Sequence, residues 1–308
     1  MKLGFGAPVA GAWAGPETLE RFARRAEECG YHELWTFQRL LIPEDPDTIA
    51  PVYHSVLDPL LSLTYAAAHT SRIRLGVALV NLPFISPTYL AKETATLDVL
   101  SSGRLDLGLG LGWSQDEFTA TGASTARRAA RTAEYVAVLH TLWADDVSQF
   151  DGEFYTVPPS RMAPKPVQRP GPPVLLGGVV PAALARAGRI ADGWMSRSRT
   201  DLSAIGSQIE TVREGARAAG KDPDAVRIVC RGVVDARTDG VAGADRPRLS
   251  GSFQQIRDDA DWLAEQGVTE LFYDLNYDPL IGDPQVEPSA AVQRADEIME
   301  ALAPSRST

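Results

Sequence analysis

The chain has 308 residues, of which 44% are hydrophobic and 23% charged, the proportions of an ordinary globular protein. Its formal net charge of −10 at pH 7 argues against nucleic acid or an anionic membrane surface as the main partner. Because we find no membrane-spanning apolar run, no signal peptide and no disulfide or metal pattern around the 2 cysteines, we predict a cytoplasmic protein.

A repeated unit, in which a helix ends at a glycine and an apolar strand follows, organises the chain. Gly30, Gly220 and Gly267 end such helices, where glycine supplies the left-handed backbone that turns the chain back to a sheet. Most of the strands are continuous apolar runs, which is typical of parallel strands buried on both faces. The eight predicted strands cover residues 3–8, 33–38, 73–80, 105–110, 174–178, 193–196, 226–234 and 269–276. Eight units over residues 1–308 favour a single-domain (β/α)8 TIM barrel over an open doubly wound sheet.

Residues 86–118 contain one complete unit: a capped helix, a strand, a glycine-rich strand end and a second helix. Gly108 and Gly110 lie where the strand runs out, which is where an enzyme of this fold holds its ligand. Ser114 and Glu117 have capping-box spacing for the following helix. The glycine run lacks the third glycine of a dinucleotide fingerprint, so a Rossmann fold is disfavoured.

Two internal segments and the C-terminus depart from a minimal barrel. Residues 149–173 contain F-D-G-E-F-Y-T-V, which predicts a hairpin around Asp151, and then a proline-rich extended excursion between the fourth and fifth strands. Residues 238–252 are polar and follow the seventh strand, which predicts either a mobile lid over the ligand face or a merely disordered loop. Residues 304–308 are expected to form a flexible tail.

Glycine also ends the fifth predicted strand, and two interpretations of that pair remain open. Gly177 and Gly178 precede a helix that begins near Pro181, so their N–H groups and the helix dipole suit an anion. The same pair also fits a tight strand-to-helix turn with no ligand. Trp194, in A-D-G-W, is by default a core side chain.

Several segments, taken in chain order, resemble the bacterial luciferase-like superfamily, and within it the flavin- and deazaflavin-dependent oxidoreductases. They are L-W-T-F-Q-R, I-R-L-G-V-A-L-V-N-L-P, the 86–118 unit, R-T-A-E-Y, F-D-G-E-F-Y, A-P-K-P-V-Q-R-P-G-P-P-V-L-L-G-G and R-I-A-D-G-W. The resemblance runs from the N-terminus to Trp194, with looser support beyond it.

The resemblance implies a barrel that holds a flavin-type ring at the carboxyl ends of its strands. It implies a non-prolyl cis peptide and a bulge at about Leu79-Val80-Asn81, and a phosphate contact at Gly177-Gly178-Val179. The predicted cofactor-binding residues are Phe5, Gly6, Gln38, Arg39, Leu79, Val80, Asn81, Gly108, Gly110, Gly177, Gly178, Val179 and Trp194. No metal site is predicted.

The chain departs from that family after the second strand, where many deazaflavin enzymes carry an acidic residue and a histidine. Here Gln38 and Arg39 occupy these positions. Gln38 can hydrogen-bond a ring or substrate but is no general acid, and Arg39 either holds an anionic group or is a solvated loop residue. The predicted catalytic residues are therefore Gln38 and, as proton donor, His54, with Tyr53 as its alternative. The alternative is that His54 is a loop histidine whose hydrogen bonds are made within the protein and that has no catalytic role.

Three functions are compatible with these residues. The first is hydride transfer between coenzyme F420 and a moderately hydrophobic organic substrate. The second is an FMN-type monooxygenase that receives reduced flavin from a separate reductase and activates O₂. The third is a non-catalytic flavin-binding barrel. The expected partners are a small-molecule substrate and, since such barrels often pair, a second copy of the chain, with neither nucleic acid nor membrane.

Overall fold

Eight parallel strands close into a barrel in the computed structural model, which describes residues 1–237, 239–241, 243 and 246–304. With the four strands of two small separate sheets, the strands of the described residues in chain order are β1 (Lys2–Gly6), β2 (Glu33–Thr36), β3 (Arg74–Asn81), β4 (Leu105–Gly110), β5 (Ser148–Asp151), β6 (Thr156–Ser160), β7 (Val174–Gly177), β8 (Gly193–Met195), β9 (Arg227–Val233), β10 (Asp235–Ala236), β11 (Ser250–Gly251) and β12 (Glu270–Asp274). The barrel order is β1, β12, β9, β8, β7, β4, β3, β2. The predicted (β/α)8 barrel is confirmed, and each barrel strand lies within two residues of its predicted bounds.

Helices cover the outside of this barrel. They are α1 (Pro16–Glu28), α2 (Pro59–His69), α3 (Pro87–Leu100), α4 (Gln115–Thr121), α5 (Arg128–Ala144), α6 (Pro181–Ile190), α7 (Ile205–Ala218), α8 (Phe253–Glu265) and α9 (Pro288–Ala301). Gly30, Gly220 and Gly267 have φ of 85°, 71° and 97°, so each supplies the left-handed turn predicted after its helix. Among the described residues, none of the helices has both the length and the apolar character that crossing a membrane requires.

The inserted segment between β4 and β7 contains the predicted hairpin. Strands β5 and β6 pair antiparallel, and the chain between them is held by Glu134 on α5. The Glu134 carboxylate accepts hydrogen bonds from the backbone N–H groups of Glu153, Phe154 and Tyr155, at 3.0, 2.8 and 3.3 Å. The proline-rich stretch begins inside β6, with Pro158 and Pro159, and its remainder from Arg161 to β7 contains neither helix nor strand.

The predicted loop 238–252 and tail 304–308 fall partly outside the described residues, which exclude 238, 242, 244, 245 and 305–308. Within the described part of the loop, β11 pairs in parallel with β10. Arg246 and Arg248 both bind the buried carboxylate of Asp259 on α8. These residues are therefore fastened to the barrel wall through α8.

Alternate residues of each strand face the barrel interior, and they form layers from bottom to mouth. A cluster of apolar side chains fills the middle layer, where Trp35 stacks on Phe272 with ring centroids 5.1 Å apart. The residue of β3 beside these two rings is Gly76. A larger residue would not fit at this position, because its Cβ would collide with the Trp35 ring. The interior is consequently packed solid below the mouth.

The bottom layer is a buried ionic cluster at the amino ends of the strands. Asp106 accepts two hydrogen bonds from Arg74, both 2.7 Å long, and two from Arg227, at 2.6 and 3.1 Å. Arg227 also donates two 2.7 Å bonds to Glu270. In α/β barrels this end serves stability, so we assign the cluster to folding and not to chemistry.

Two carboxyl groups of this cluster have opposite pKa shifts. Burial and then the nearby Asp106 charge raise the pKa of Glu33 well above its ordinary value. Burial alone would also raise the pKa of Asp106, but hydrogen bonds from Arg74 and Glu33 and the charge of Arg227 lower it instead. The two shifts therefore favour the protonated form of Glu33 and the ionised form of Asp106.

We predict that Glu33→Gln stabilises the protein at alkaline pH. Folding raises the pKa of Glu33 above its value in the unfolded chain, which is near 4.5. The contribution of such a group to stability is complete below the unfolded pKa and is lost as the pH rises through the folded pKa. Gln keeps the hydrogen-bond donor without the ionisation, so Tm should rise by roughly 2–4 °C at pH 8 and change little at pH 4. Thermal unfolding followed by circular dichroism from pH 4 to pH 8 measures this, and a difference independent of pH would contradict it.

Candidate active site at the barrel mouth

A bulge at the end of β3 forms the floor of the mouth. The pairing of β3 with β4 shifts between Val77 and Val80, and the non-prolyl peptide bond between Ala78 and Leu79 is cis. The bulge was predicted here, and the cis bond lies one residue before the segment expected to contain it. The side-chain oxygen of Gln38, after β2, accepts a 2.9 Å hydrogen bond from the Asn81 backbone N–H. Gln38 therefore holds the far end of the bulge in place.

Glycines on the neighbouring strands make room for Leu79, which packs partly buried on the interior cluster. A Cβ on Gly110 would lie 3.1 Å from Leu79 Cδ1, and one on Gly177 would lie 2.5 Å from the same atom. A Cβ on Gly108 would meet the Val77 carbonyl and Leu79 Cδ2. The prediction that Gly108 and Gly110 let a cofactor reach the backbone is thus corrected, because the Leu79 side chain covers both glycines.

The chain leaves β7 through a tight turn into α6. Gly178 cannot carry a side chain without strain, because its Cβ would lie 2.6 Å from that of Ala183. The N-cap residue of α6, Val180, makes no side-chain capping bond, although Ser86 and Ser252 cap α3 and α8. Pro181 at the first position has no N–H, and the Ala183 N–H already donates a 2.8 Å bond to the Val180 carbonyl, so the Ala182 N–H is the first-turn donor of α6 that receives no such partner. Val179 lies in the same turn with 38% of its surface exposed.

Three residues predicted to contact the cofactor are buried in the main core and do not face the barrel interior. Phe5 is fully buried in the main core, where its ring packs on Tyr31 and Phe22 of α1 at 5.3 and 6.4 Å. Val80 is buried in the same main core. Trp194 is buried there too, and its indole N–H donates a 2.9 Å hydrogen bond to the Gly178 carbonyl. Trp194 therefore supports the glycine turn and does not face a ligand.

Arg231 on β9 and Asp274 on β12 form a buried ion pair across the mouth. Arg231 Nε lies 2.7 Å from Asp274 Oδ2, and its Nη1 donates a 3.0 Å bond to the Ala78 carbonyl of the bulge. Burial opposes its charge, but Asp274 outweighs that effect and raises the pKa of Arg231. Asn276 extends the network to the Ala7 carbonyl, at 3.0 Å. Gly6 lies beside the Asp274 side chain, and a Cβ on Gly6 would be only 2.9 Å from Asp274 Oδ1.

An aromatic group continues from this ion pair toward solvent. The hydroxyls of Tyr53 and Tyr277 are 2.6 Å apart, and Phe37 packs on both rings at 6.2 and 6.3 Å. The Arg231 guanidinium lies 4.8 Å from the Phe37 ring and 5.1 Å from the Tyr277 ring. Burial raises the pKa of Tyr277, with Arg231 opposing the shift, so this phenol stays protonated at neutral pH.

His54, the predicted proton donor, has a different use in the structure. Its Nε2 lies 2.9 Å from the Pro46 carbonyl and 3.4 Å from that of Ile49, two residues of its own loop. Because a carbonyl only accepts, Nε2 carries the proton in these bonds, and Nδ1 of the neutral ring has none to give. The geometry therefore favours the loop-bracing interpretation of His54 over the catalytic one.

Arg39 is not the solvated loop residue of one predicted role, and its other predicted role, holding an anionic group, stays a prediction because its buried Nε and Nη1 have no hydrogen-bond partner among the described residues. Its side chain is 3% exposed and forms a 2.6 Å ion pair with Glu117 on α4, whose own side chain is 0% exposed. The same carboxylate accepts a 2.7 Å bond from the Leu40 N–H, so it is not available for the predicted capping box with Ser114. Trp113 covers the pair, with its ring 4.4 Å from the guanidinium. The pair anchors the loop after β2.

The principal site residues that sequence reasoning missed are Arg231, Asp274 and Tyr277. A signal for the first two was present, since Arg231 and Asp274 lie at the spacing of two that marks one strand face, beyond Val229 and Phe272. Tyr277 follows β12 in a short turn and gave no signal. Its role depends on contact with Tyr53, 224 positions away.

The fold agrees with that of known proteins. Along 97% of the chain the structure matches monooxygenase RslO1 from Streptomyces bottropensis, with a TM-score of 0.76 and 25% identity over 98% of that protein. An uncharacterised protein of Mycobacterium tuberculosis (strain H37Rv) is 35% identical over 226 residues, or 69% of this chain and 79% of that protein.

Relatives with named activities use two different cofactors. F420-dependent glucose-6-phosphate dehydrogenase of Kineococcus radiotolerans is 31% identical over 226 residues, 72% of this chain and 64% of that enzyme. FMNH₂-dependent dimethylsulfone monooxygenase of Pseudomonas putida is 32% identical over 173 residues, 55% of this chain and 46% of that enzyme. The model of the luciferase-like monooxygenase family matches residues 4–304, and the chain therefore belongs to that family.

Proposed function

We propose that the protein is an oxidoreductase that uses coenzyme F420 to exchange hydride with a small organic substrate. The observation that carries the proposal is the bulged end of β3, where the partly buried apolar side chain of Leu79 packs on Gly110 and Gly177. A planar ring system lying on Leu79 would meet apolar side-chain atoms from below and the polar Arg231 pair at its edge.

The turn after β7 suits the phosphate of such a cofactor. Gly178 and Val179 lead into α6, whose N-cap residue Val180 provides no side-chain acceptor. Phosphate oxygens are the acceptors that helix N-termini prefer, because the N–H groups and the helix dipole act together there. Trp194 fixes the turn through the Gly178 carbonyl, which leaves its N–H groups in a constant position.

The deazaflavin, when bound, supplies a carbon that accepts or releases hydride, and the chain must supply the proton that accompanies it. Tyr53 is the candidate we favour, because its hydroxyl pairs with Tyr277 at 2.6 Å beside the Arg231 cation. Phenol groups serve as general acids when a second polar group stabilises the anion that remains. Gln38 contributes by holding the bulge and is a positioning residue in this proposal.

FMN-dependent oxygen chemistry is the second candidate, since one relative with a named activity is an FMNH₂-dependent monooxygenase. It would require a separate reductase to supply the reduced flavin. We rank it second because the F420-dependent relative aligns with 72% of this chain and the FMNH₂-dependent one with 55%.

Titration of the purified protein with oxidised F420 and, separately, with FMN tests the proposal. Calorimetry and cofactor fluorescence should give micromolar affinity for F420 and little for FMN. A preference for FMN, strengthened on reduction, would favour the monooxygenase, and binding of F420 without turnover across enones, imines and alcohols would favour a non-catalytic barrel. Binding of neither cofactor would overturn both catalytic proposals.

We also predict a homodimer that pairs through α2 and α3. Several large apolar side chains on these helices are strongly exposed, among them Leu61 at 72%, Tyr89 at 64% and Leu100 at 60%. A contiguous apolar surface of this kind is typical of a protein interface. Leu61→Glu should therefore reduce the mass seen by light scattering from a dimer to one chain of 33.2 kDa.

Leu280→Glu is the matched control for this variant. Leu280 is also an exposed leucine, at 55%, but it follows β12 and lies on neither helix. It should leave the mass unchanged. A dimer that survives Leu61→Glu, or a wild-type monomer, would contradict the predicted interface.

A further inference from the structure

A second cavity opens beside Arg231, on the side of the mouth formed by the loops after β8 and β9. Its volume is about 550 Å³. Its polar lining comprises Ser198, Thr200, Asp201, Ser203, Arg231, Arg246 and Arg248. Because Arg231 also contacts the Ala78 carbonyl and the Tyr277 ring, this cavity adjoins both the bulge and the tyrosine pair.

The two loop arginines carry more positive charge than their partner compensates. Arg246 donates bonds of 2.6 and 2.9 Å to the two oxygens of Asp259, and Arg248 donates a 2.8 Å bond to one of them. One carboxylate therefore faces two guanidinium groups. Asp259 is fully buried behind them, so the excess charge faces the cavity.

The other charged groups of the lining are one paired arginine and one carboxylate. Arg231 is matched by Asp274. Asp201 is exposed, and its carboxylate accepts bonds of 3.0 and 2.6 Å from the backbone N–H and hydroxyl of Ser203. These donors are neutral, so Asp201 keeps its charge, but the two guanidinium groups of Arg246 and Arg248 outnumber it at the cavity because Asp259 is buried behind them. The Ser198 and Thr200 hydroxyls add neutral donors at the rim.

We propose that this cavity is the substrate subsite and that it binds the anionic end, a carboxylate or phosphate monoester, of a substrate whose uncharged body lies against Phe37 and Tyr53. Guanidinium groups match both anions in geometry as well as in charge. The inference deepens the proposed function and depends on it for the identity of the reaction. It also adds a charged end to the moderately hydrophobic substrate expected from the sequence, since the aromatic group and the charged cavity adjoin at Arg231.

The test compares three ring compounds that differ in charge, namely benzamide, benzoate and phenyl phosphate. Calorimetric titration of the full chain should show that at least one of the two anions binds about tenfold more tightly than benzamide, and that raising the salt concentration reduces the difference. The stronger anion identifies which group the site prefers. Equal affinity for all three compounds would overturn the proposal.

Arg248→Gln is the informative variant, because Asp259 keeps its two bonds from Arg246 and a 2.7 Å bond from the Leu249 N–H. It should lower the affinity for the preferred anion about five- to tenfold and leave that for benzamide unchanged. Arg248→Lys should recover part of the loss. Arg237→Gln is the matched control, since Arg237 pairs with exposed Asp235 and borders a different cavity. Undiminished anion preference in Arg248→Gln would overturn the assignment.

F420 titration of the same proteins separates this inference from the proposed function. Arg248 lies outside the bulge and the glycine turn, so Arg248→Gln should bind F420 as the wild type does. Wild-type protein that binds F420 but shows no anion preference refutes the subsite alone. Wild-type protein that prefers the anions but binds no F420 refutes the cofactor assignment alone.

Discussion

We expect Gly178→Asp to lower the affinity for F420 by at least about 100-fold. The aspartate carboxylate would enter the turn between β7 and α6, where the proposed site presents N–H groups to the cofactor phosphate. Two anions held together at such a site cost several kcal/mol, because like charges brought into contact at an interface are poorly screened. Fluorescence titration with F420 measures the loss directly.

A side chain at this position also has a steric effect, which must be separated from the charge. The Cβ of residue 178 would lie 2.6 Å from that of Ala183, so we would place the substitutions in an Ala183→Gly background. There Gly178→Ala should bind F420 within about threefold of the background protein, while Gly178→Asp should not bind detectably. Equal affinities of the two variants would remove the phosphate from this turn.

The architecture followed from local chemistry that acts on each unit alone. Gly30, Gly220 and Gly267 end helices because only glycine adopts positive φ without cost, and this rule needs no knowledge of the rest of the fold. The hairpin at Asp151 is equally local. Barrel closure then followed from the number of units, since parallel strands with helices between them leave few other arrangements.

The direction of each side chain at the mouth was harder to predict. A shift of one residue along a strand exchanges the inner and outer faces, and the bulge at Val77 and Val80 makes such a shift inside β3. Phe5 and Trp194 were assigned to the cofactor because they lie near strand ends. Both face the helices instead, next to residues that face inward, Gly6 and Met195.

Contacts between distant parts of the chain could not be predicted at all from motifs. Glu117 has the spacing of a capping box, and only the fold shows that its carboxylate binds Arg39, 78 positions earlier. The ion pair of Arg231 and Asp274 depends likewise on the adjacency of β9 and β12. Such pairs arise from the order of strands around the barrel, which no local pattern encodes.

These distant contacts bear on the proposed proton donor. The sequence favours His54, with the adjacent Tyr53 as its alternative, but the surroundings of the two side chains differ. The ring of His54 is committed to the Pro46 carbonyl of its own loop. The hydroxyl of Tyr53 meets Tyr277, which in turn lies beside the Arg231 guanidinium.

Tyr53→Phe should therefore lower kcat for F420-dependent turnover by about 100-fold or more while leaving the F420 affinity unchanged. The variant keeps the ring that packs on Phe37 and removes only the hydroxyl, so the loss reports on proton transfer and not on packing. The rate is measured as oxidation of reduced F420 with the most active enone or imine from the substrate screen.

His54→Ala provides the comparison, because it changes the neighbouring residue and removes the only other donor proposed from the sequence. It should weaken the loop through the lost Pro46 contact and change kcat by less than about threefold. A deeper loss in His54→Ala than in Tyr53→Phe would reverse the assignment. Because burial raises the pKa of Tyr277, the wild-type rate should also show no ionisation of this phenol near neutral pH.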